Sequence, residues 1–264
     1  MKPQPELPAA RVPARPPSYW RLAQQHRYSL TFALPLLLLY EALAALRSGD
    51  LSGGVRNGAD VLLKQLVSAI AGAYAPLILG TLLVGASVFL IARDMRRNRS
   101  SLKGIVFAGM AAESILLALV FGFVVSMVTT RLLDTLPAFA FRLAAQGAAG
   151  TPPLDQMTVF TISLGAGLYE ELVFRVLLTS GLALGARIVL NMRPMLAGVS
   201  ATILSALIFS AFHYIGPYGD QLELASFAFR AVAGVFFSAL YLTRGFGVTA
   251  WTHALYDVFL LAAT

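Results

Sequence analysis

Three short patterns in the C-terminal half of the 264-residue chain hold the side chains that could do chemistry. They are Gly167-Leu168-Tyr169-Glu170-Glu171-Leu172-Val173-Phe174-Arg175, Phe209-Ser210-Ala211-Phe212-His213 and His253-Ala254-Leu255-Tyr256-Asp257. Each lies in or at the end of an apolar run, and together they use two of the three histidines. On a helix, Glu171 and Arg175 stand at i and i+4 and share a face, so one carboxylate is neutralised, whereas Glu170 points about 100° away and stays free. A free carboxylate is what a general base requires. His253 and Asp257 share the same spacing, so a carboxylate or a water can orient the imidazole. His213 follows Phe209 by the same step, which sets an aromatic ring beneath it. The chain has no cysteine, and none of its serines stands in an obvious nucleophile context, so the polar set suits activation of a water molecule. Two routes are open. In a metal-free route Glu170 and His213 deprotonate water while His253 and Asp257 stabilise the oxyanion. In the other, Glu170, His213 and His253 hold a divalent cation such as zinc, a His2Glu ligand set.

These residues must be positioned by elements of unusual composition. Hydrophobic residues make up 58% of the chain and charged residues 12%, against roughly 25% charged in soluble domains. So few polar groups cannot cover a water-facing surface, which excludes a soluble globular domain; intrinsic disorder is excluded by the same apolar excess. The expected fold is all-α, a polytopic transmembrane bundle of about seven spans, near residues 28–46, 75–92, 104–129, 157–180, 196–213, 222–243 and 246–262. Residues 1–27, with six of the 13 prolines, read as a basic cytoplasmic leader. Residues 28–150 read as N-terminal transmembrane helices plus an interfacial amphipathic helix over 56–73, and residues 155–262 as the catalytic core. The first apolar run is of spanning length and is expected to be retained.

The net charge of +7 flanks the spans and lines no single face, which points to membrane orientation and not to nucleic acid. Basic residues in the leader, in 93–103 and in 181–195 place those segments inside. Loops 130–156 and 214–221 are then outside, with His213 near the outer end of its span and Glu170 and His253 nearer mid-depth. A cavity opening to the outer face follows as an expectation.

Inside a bilayer an ionisable side chain costs roughly 2.5–3.5 kcal/mol on insertion scales, so each asks for a partner or a role. For Glu41, Glu113 and Glu223 the expected role is buried pairing, for instance with Arg230. The glycine pairs Gly165/Gly167 and Gly181/Gly185 read as close helix packing, and the phenylalanines as lipid-facing bulk. A transporter or scaffold could use the same polar cluster, but transporters usually show repeated halves, and no such repeat is visible here.

The ordered triple Glu-Glu-x-x-x-Arg, Phe-x-x-x-His and His-x-x-x-Asp, each on its own apolar segment, resembles the CPBP intramembrane protease family, the type II CAAX prenyl endopeptidase and bacteriocin-processing (Abi) family. The resemblance covers about residues 155–260. It implies an endopeptidase of the cell membrane, multi-pass and in a bacterium of the inner membrane, acting on membrane-anchored peptide or protein substrates. Glu170 and His213 would then activate water, His253 with Asp257 would support the oxyanion, and Glu171, Arg175 and Phe209 would be supporting residues. The family is described both as metalloprotease and as metal-free glutamate protease.

Overall fold

The computed structural model describes residues 17–48, 56–98, 101–134, 155–216 and 219–262. Residues 1–16 of the expected leader at 1–27, most of the loop at 130–156, and Pro217 and Tyr218 lie outside the described residues. Those described form helices and their connections, with no strand among them. In chain order these are α1 (Tyr19–Ala23), α2 (His26–Ser48), α3 (Gly58–Ala71), α4 (Ala75–Asn98), α5 (Gly104–Asp134) and α6 (Gln156–Gly165). A wide-wound segment follows, and then α7 (Ser180–Ile188), α8 (Pro194–Phe212), α9 (Leu224–Arg244) and α10 (Phe246–Ala262).

Local signals set the ends. Asn57 caps α3 by accepting from the Ala59 amide at 2.9 Å, and Asp155 caps α6 by accepting from the Thr158 amide at 3.1 Å. Pro194 opens α8, where its missing N–H costs nothing. Gly245, at φ +82°, ends α9 in a conformation that disfavours other residues. That turn brings α10 back onto α2 so closely that a Cβ on Gly247 would lie 2.3 Å from the Ser29 carbonyl oxygen.

Among the described residues five helical stretches are long and apolar enough to cross a membrane: His26–Arg47, Gly58–Asn98, Gly104–Asp134, Pro194–Phe212 and Leu224–Arg244. The second joins α3, a turn at Gly72–Tyr74 and α4. The two other expected spans take different forms. The 157–180 span is a continuous helical path from Gln156 to Ile188 whose winding changes on the way, and α10 is 17 residues long. α10 packs against α2, α5, α6 and the wide-wound segment, and thus sits at the centre.

The distribution of polarity is inverted relative to a soluble protein. Arg56, Asp60, Glu170, Glu171, Arg175 and Arg244 are buried, while Leu46, Ile70, Ile105, Leu116 and Phe123 stand out from the surface. Such a surface is stable in lipid, and the buried charges must then find partners within the bundle. The structure inverts the expected interfacial helix too. The charged stripe of α3 points inward, where Arg56 pairs with Glu41 (3.2 Å) and Asp60 (2.9 Å), Lys64 with Asp60 (2.8 Å), and the Tyr40 and Tyr169 hydroxyls donate to Asp60 and Glu41. Its outer side carries Leu66 and Ile70.

The phenylalanine expectation is corrected in part: Phe89 and Phe123 do face outward. Phe121, Phe174, Phe209 and Phe237 are buried, and Phe121 stacks on Phe237 at 4.4 Å. Aromatic pairs fill the space between α5, α8 and α9 that smaller side chains would leave open. Of the glycine pairs, Gly165 and Gly167 do make close approaches, whereas a Cβ on Gly181 or Gly185 would meet no atom within 4 Å.

Candidate active site

The site is built around a change of helical winding. From Ala166 to Glu170 and from Leu172 to Thr179 the backbone is π-helical. Side-chain hydroxyls record the change. Thr161 and Ser163 donate to carbonyls four residues back, at 2.8 Å each, whereas Thr179 and Ser180 reach five residues back, to Phe174 (2.6 Å) and Arg175 (3.2 Å). The π-turn is rare, and where it occurs it frequently marks a functional site. Glu170 and Glu171 stand where the two π-helical stretches meet, and their carboxylates face different neighbours.

Glu170 faces α3 and the end of α8. Its Oε1 accepts from Asn57 Nδ2 at 2.8 Å, and its Oε2 lies 3.8 Å from His213 Nε2. The latter distance is too long for a direct hydrogen bond. His213 is the residue just past α8, and its Nδ1 lies 2.9 Å from the Phe209 carbonyl oxygen. A carbonyl only accepts, so Nδ1 carries the proton, and in the neutral ring Nε2 presents its lone pair towards Glu170. The Phe209 ring meets the imidazole edge-on, with centroids 4.9 Å apart. Behind His213 the chain turns tightly, and the Asp220 amide donates to the His213 carbonyl at 2.9 Å.

Glu171 faces α10. Its Oε1 lies 2.7 Å from His253 Nδ1 and its Oε2 3.2 Å from Arg175 Nε. The expected pairing of Glu171 with Arg175 is present, but the imidazole is held by Glu171 more closely than by Asp257, which lies 3.7 Å from His253 Nε2. The His253 ring also stacks on Phe237 at 4.3 Å. Arg175 is fully enclosed, with its guanidinium 4.4 Å over the Phe209 ring and 5.4 Å from that of Phe237. Gly167 makes this geometry accessible: a Cβ there would come within 2.4 Å of the Ala250 carbonyl, so only glycine lets α10 approach and place His253 on Glu171.

The fold thus brings Glu170 to His213 and joins His253, Asp257, Glu171 and Arg175 in one chain of contacts. Side-chain exposure is 23% for His213 and 27% for Asp257, against 8% for Glu170 and none for Glu171. The buried carboxylates are therefore approached past His213 and Asp257. A separate apolar cavity of about 610 Å³, walled by Leu34, Leu83, Leu90, Leu168, Leu172 and Val176, includes none of the site residues. Among the described residues no three His, Asp or Glu side chains converge closely enough to hold a cation. Both His Nδ1 atoms are engaged and Glu170 Oε1 is tied to Asn57, which leaves His213 Nε2, His253 Nε2 and Glu170 Oε2 as the atoms turned to the site.

Other expected pairings are redistributed. Glu113 pairs with Arg244, not Arg230, and Arg230 pairs with Asp220 at 2.5 Å. Two contacts of the site were not read from sequence, Asn57 to Glu170 and Glu171 to His253. The signal for the first was an Asn directly before an apolar-periodic run, a helix-start pattern that carries no hint of its distant partner.

The fold and site define a multi-pass helical membrane protein with a buried Glu/His centre. Residues 153–259 match the family model described as Rce1-like, type II CAAX prenyl endopeptidase Rce1-like. This segment is therefore a domain of the CPBP intramembrane protease family. Comparisons with curated proteins and with solved structures gave no match.

Proposed function

We propose that the protein is an intramembrane endopeptidase that hydrolyses a peptide bond of membrane-anchored substrates by water activated at Glu170 and His213. The observation that carries this reading is the opposition of two acceptors, Glu170 Oε2 and His213 Nε2, across 3.8 Å at the partly exposed end of α8. Two acceptors at that separation suit a shared proton donor, and a water is the smallest one. The water oxygen attacks the scissile carbonyl carbon while one of its protons passes to Glu170 Oε2. The carbonyl oxygen takes the negative charge, which the His253 imidazolium, its Nδ1–H held by Glu171 and Asp257 beside it, stabilises through Nε2–H. The carbon–nitrogen bond then breaks and the departing amine takes the proton from Glu170. Arg175 balances the charge of Glu171. Every step uses the chain's own residues.

The substrates fall in the class of CAAX-type tails, bacteriocin precursors or C-terminal sorting signals. The setting is a bacterial inner membrane with the site open to the outer face. To test this, purified protein in vesicles is given tagged membrane-anchored peptides in ¹⁸O-labelled water, with and without a chelator. The expected result is a shortened peptide with one ¹⁸O in its new carboxylate. Intact peptides throughout, or a new carboxylate without the label, would overturn the reading; chelator sensitivity would replace the metal-free route by a metal-assisted one.

A further inference from the structure

Asn57 lies nearly a hundred residues upstream of the matched segment 153–259, in a stretch that sequence assigns to an interfacial helix. It is 3% exposed, and each of its polar groups is used. Its Oδ1 accepts from the Ala59 amide at 2.9 Å, its backbone amide donates to the Tyr40 hydroxyl at 3.2 Å, and its Nδ2 donates to Glu170 Oε1 at 2.8 Å. The Ala59 bond fixes which way the amide faces, since an N–H can donate only to the oxygen, and Nδ2 is thereby turned on Glu170. The surroundings are cut to admit this contact. A Cβ on Gly165 would lie 2.8 Å from the Asn57 Cβ and 2.5 Å from the Tyr40 ring. Tyr40 is itself held by Asp60 at 2.8 Å, and Asp60 by Arg56 and Lys64.

We infer that Asn57 is a positioning residue for Glu170: it occupies Oε1, and so makes Oε2, the oxygen beside His213, the one that takes the proton. The inference rests on the peptidase reading above. It adds that the N-terminal half completes the site, so the matched segment lacks one of the groups on which its base depends. A carboxylate with both oxygens free could rotate away from His213, and reaction geometry off by about 1 Å can cost about 100-fold in rate.

The cap and the donor of Asn57 can be separated. Asn57→Asp and Asn57→Ser both keep an N-cap oxygen for Ala59, but neither has the amide N–H. The full-length variants are compared with wild type and with Glu170→Gln, using the tagged membrane-anchored peptide that wild type cleaves fastest and recording kcat, KM and the melting temperature. The expected result is a fall in kcat of about 10- to 100-fold for both Asn57 variants, larger for Asp because it sets a like charge on Glu170, with KM near wild type in both and a melting temperature near wild type for Ser and lowered for Asp, whose carboxylate is buried unpaired. Wild-type kcat in both folded Asn57 variants alongside an inactive Glu170→Gln would overturn this inference and leave the peptidase reading standing. An unaffected Glu170→Gln would overturn both. If Asn57→Asp fails to fold, Asn57→Ser alone decides.

Discussion

Two carboxylates inside the bundle, the partly buried Glu113 and the buried Glu170, end in opposite states. Glu113, on α5, meets Arg244 through Nε and Nη2, accepts from the Tyr19 hydroxyl at 2.6 Å, and is closed over by Trp20, whose ring lies 3.8 Å from the Arg244 guanidinium carbon. Gly109 leaves the room that the Tyr19 ring takes up. Both oxygens of Glu113 are saturated by a cation and a hydroxyl, so the group ties α1, α5 and α9 together and has nothing left for chemistry. Glu170 receives one neutral amide on one oxygen and faces, on the other, an imidazole that is too far to bond and partly open to the outside. The difference is one of unused acceptor capacity and access, not of residue type. Burial alone marks neither as catalytic.

Charge-neutral substitutions break this comparison most sharply. Glu170→Gln is expected to lower kcat by a factor of about 10² to 10⁴, the usual worth of a general base, with the melting temperature little changed. Glu113→Gln is expected to do the reverse, lowering the melting temperature and leaving kcat per folded molecule near wild type. A peptide-cleavage assay beside a thermal melt in detergent reads both.

The cations come next. Arg175→Met strands the buried carboxylate of Glu171, at a cost of about 3–5 kcal/mol in stability, and Arg244→Met strands the partly buried one of Glu113, at a smaller cost. Only Arg175→Met should also reduce kcat, because Glu171 then loses the partner that balances it while it holds His253. The double variant Glu113→Gln with Arg244→Met should regain most of the loss, since removing both charges leaves none unpaired; denaturation curves of the three proteins check this.

The glycines give a smaller contrast. Gly167→Ala forces α10 outward and is expected to cost about 1–3 kcal/mol, with a fall in kcat as His253 moves off Glu171. Gly181→Ala, which meets open space, is expected to be neutral or to stabilise by up to about 1 kcal/mol.

The smallest effect is in alkali. Burial, together with the Glu113 carboxylate to which it donates, pushes the Tyr19 hydroxyl from 10.0 up to about 12. A raised acid favours its protonated form in the folded state, so its contribution is complete below pH 10 and is lost as pH rises from 10 to 12. Melting temperature should therefore fall more steeply over that range in wild type than in Tyr19→Phe.

The sequence makes the helices and the three motifs legible because a chain so poor in charge leaves each ionisable residue conspicuous. Helix limits follow from caps and apolar length, as at Pro194 and Gly245. What is not legible depends on winding and on distant contacts. A fixed advance per residue puts Glu171 with Arg175, and that pair is present, whereas the π-turns between Ala166 and Thr179 leave no periodic mark. Nor does spacing show that Glu171 holds His253, a role it gives to Asp257. The inward charge of α3 was hidden for a similar reason: Arg56, Asp60 and Lys64 share one face, and only the placement of Glu41, Tyr40 and Tyr169 says whether that face meets water or the bundle.

The central claim is that Glu170 and His213 together activate the water that cleaves a peptide. It is tested most directly by incubating purified wild type, Glu170→Ala and His213→Ala with the same tagged membrane-anchored peptides and comparing the initial rates of product formation at equal amounts of folded protein. The account predicts cleavage by wild type and a loss of at least about 100-fold in each variant. Equal cleavage by all three proteins would contradict it.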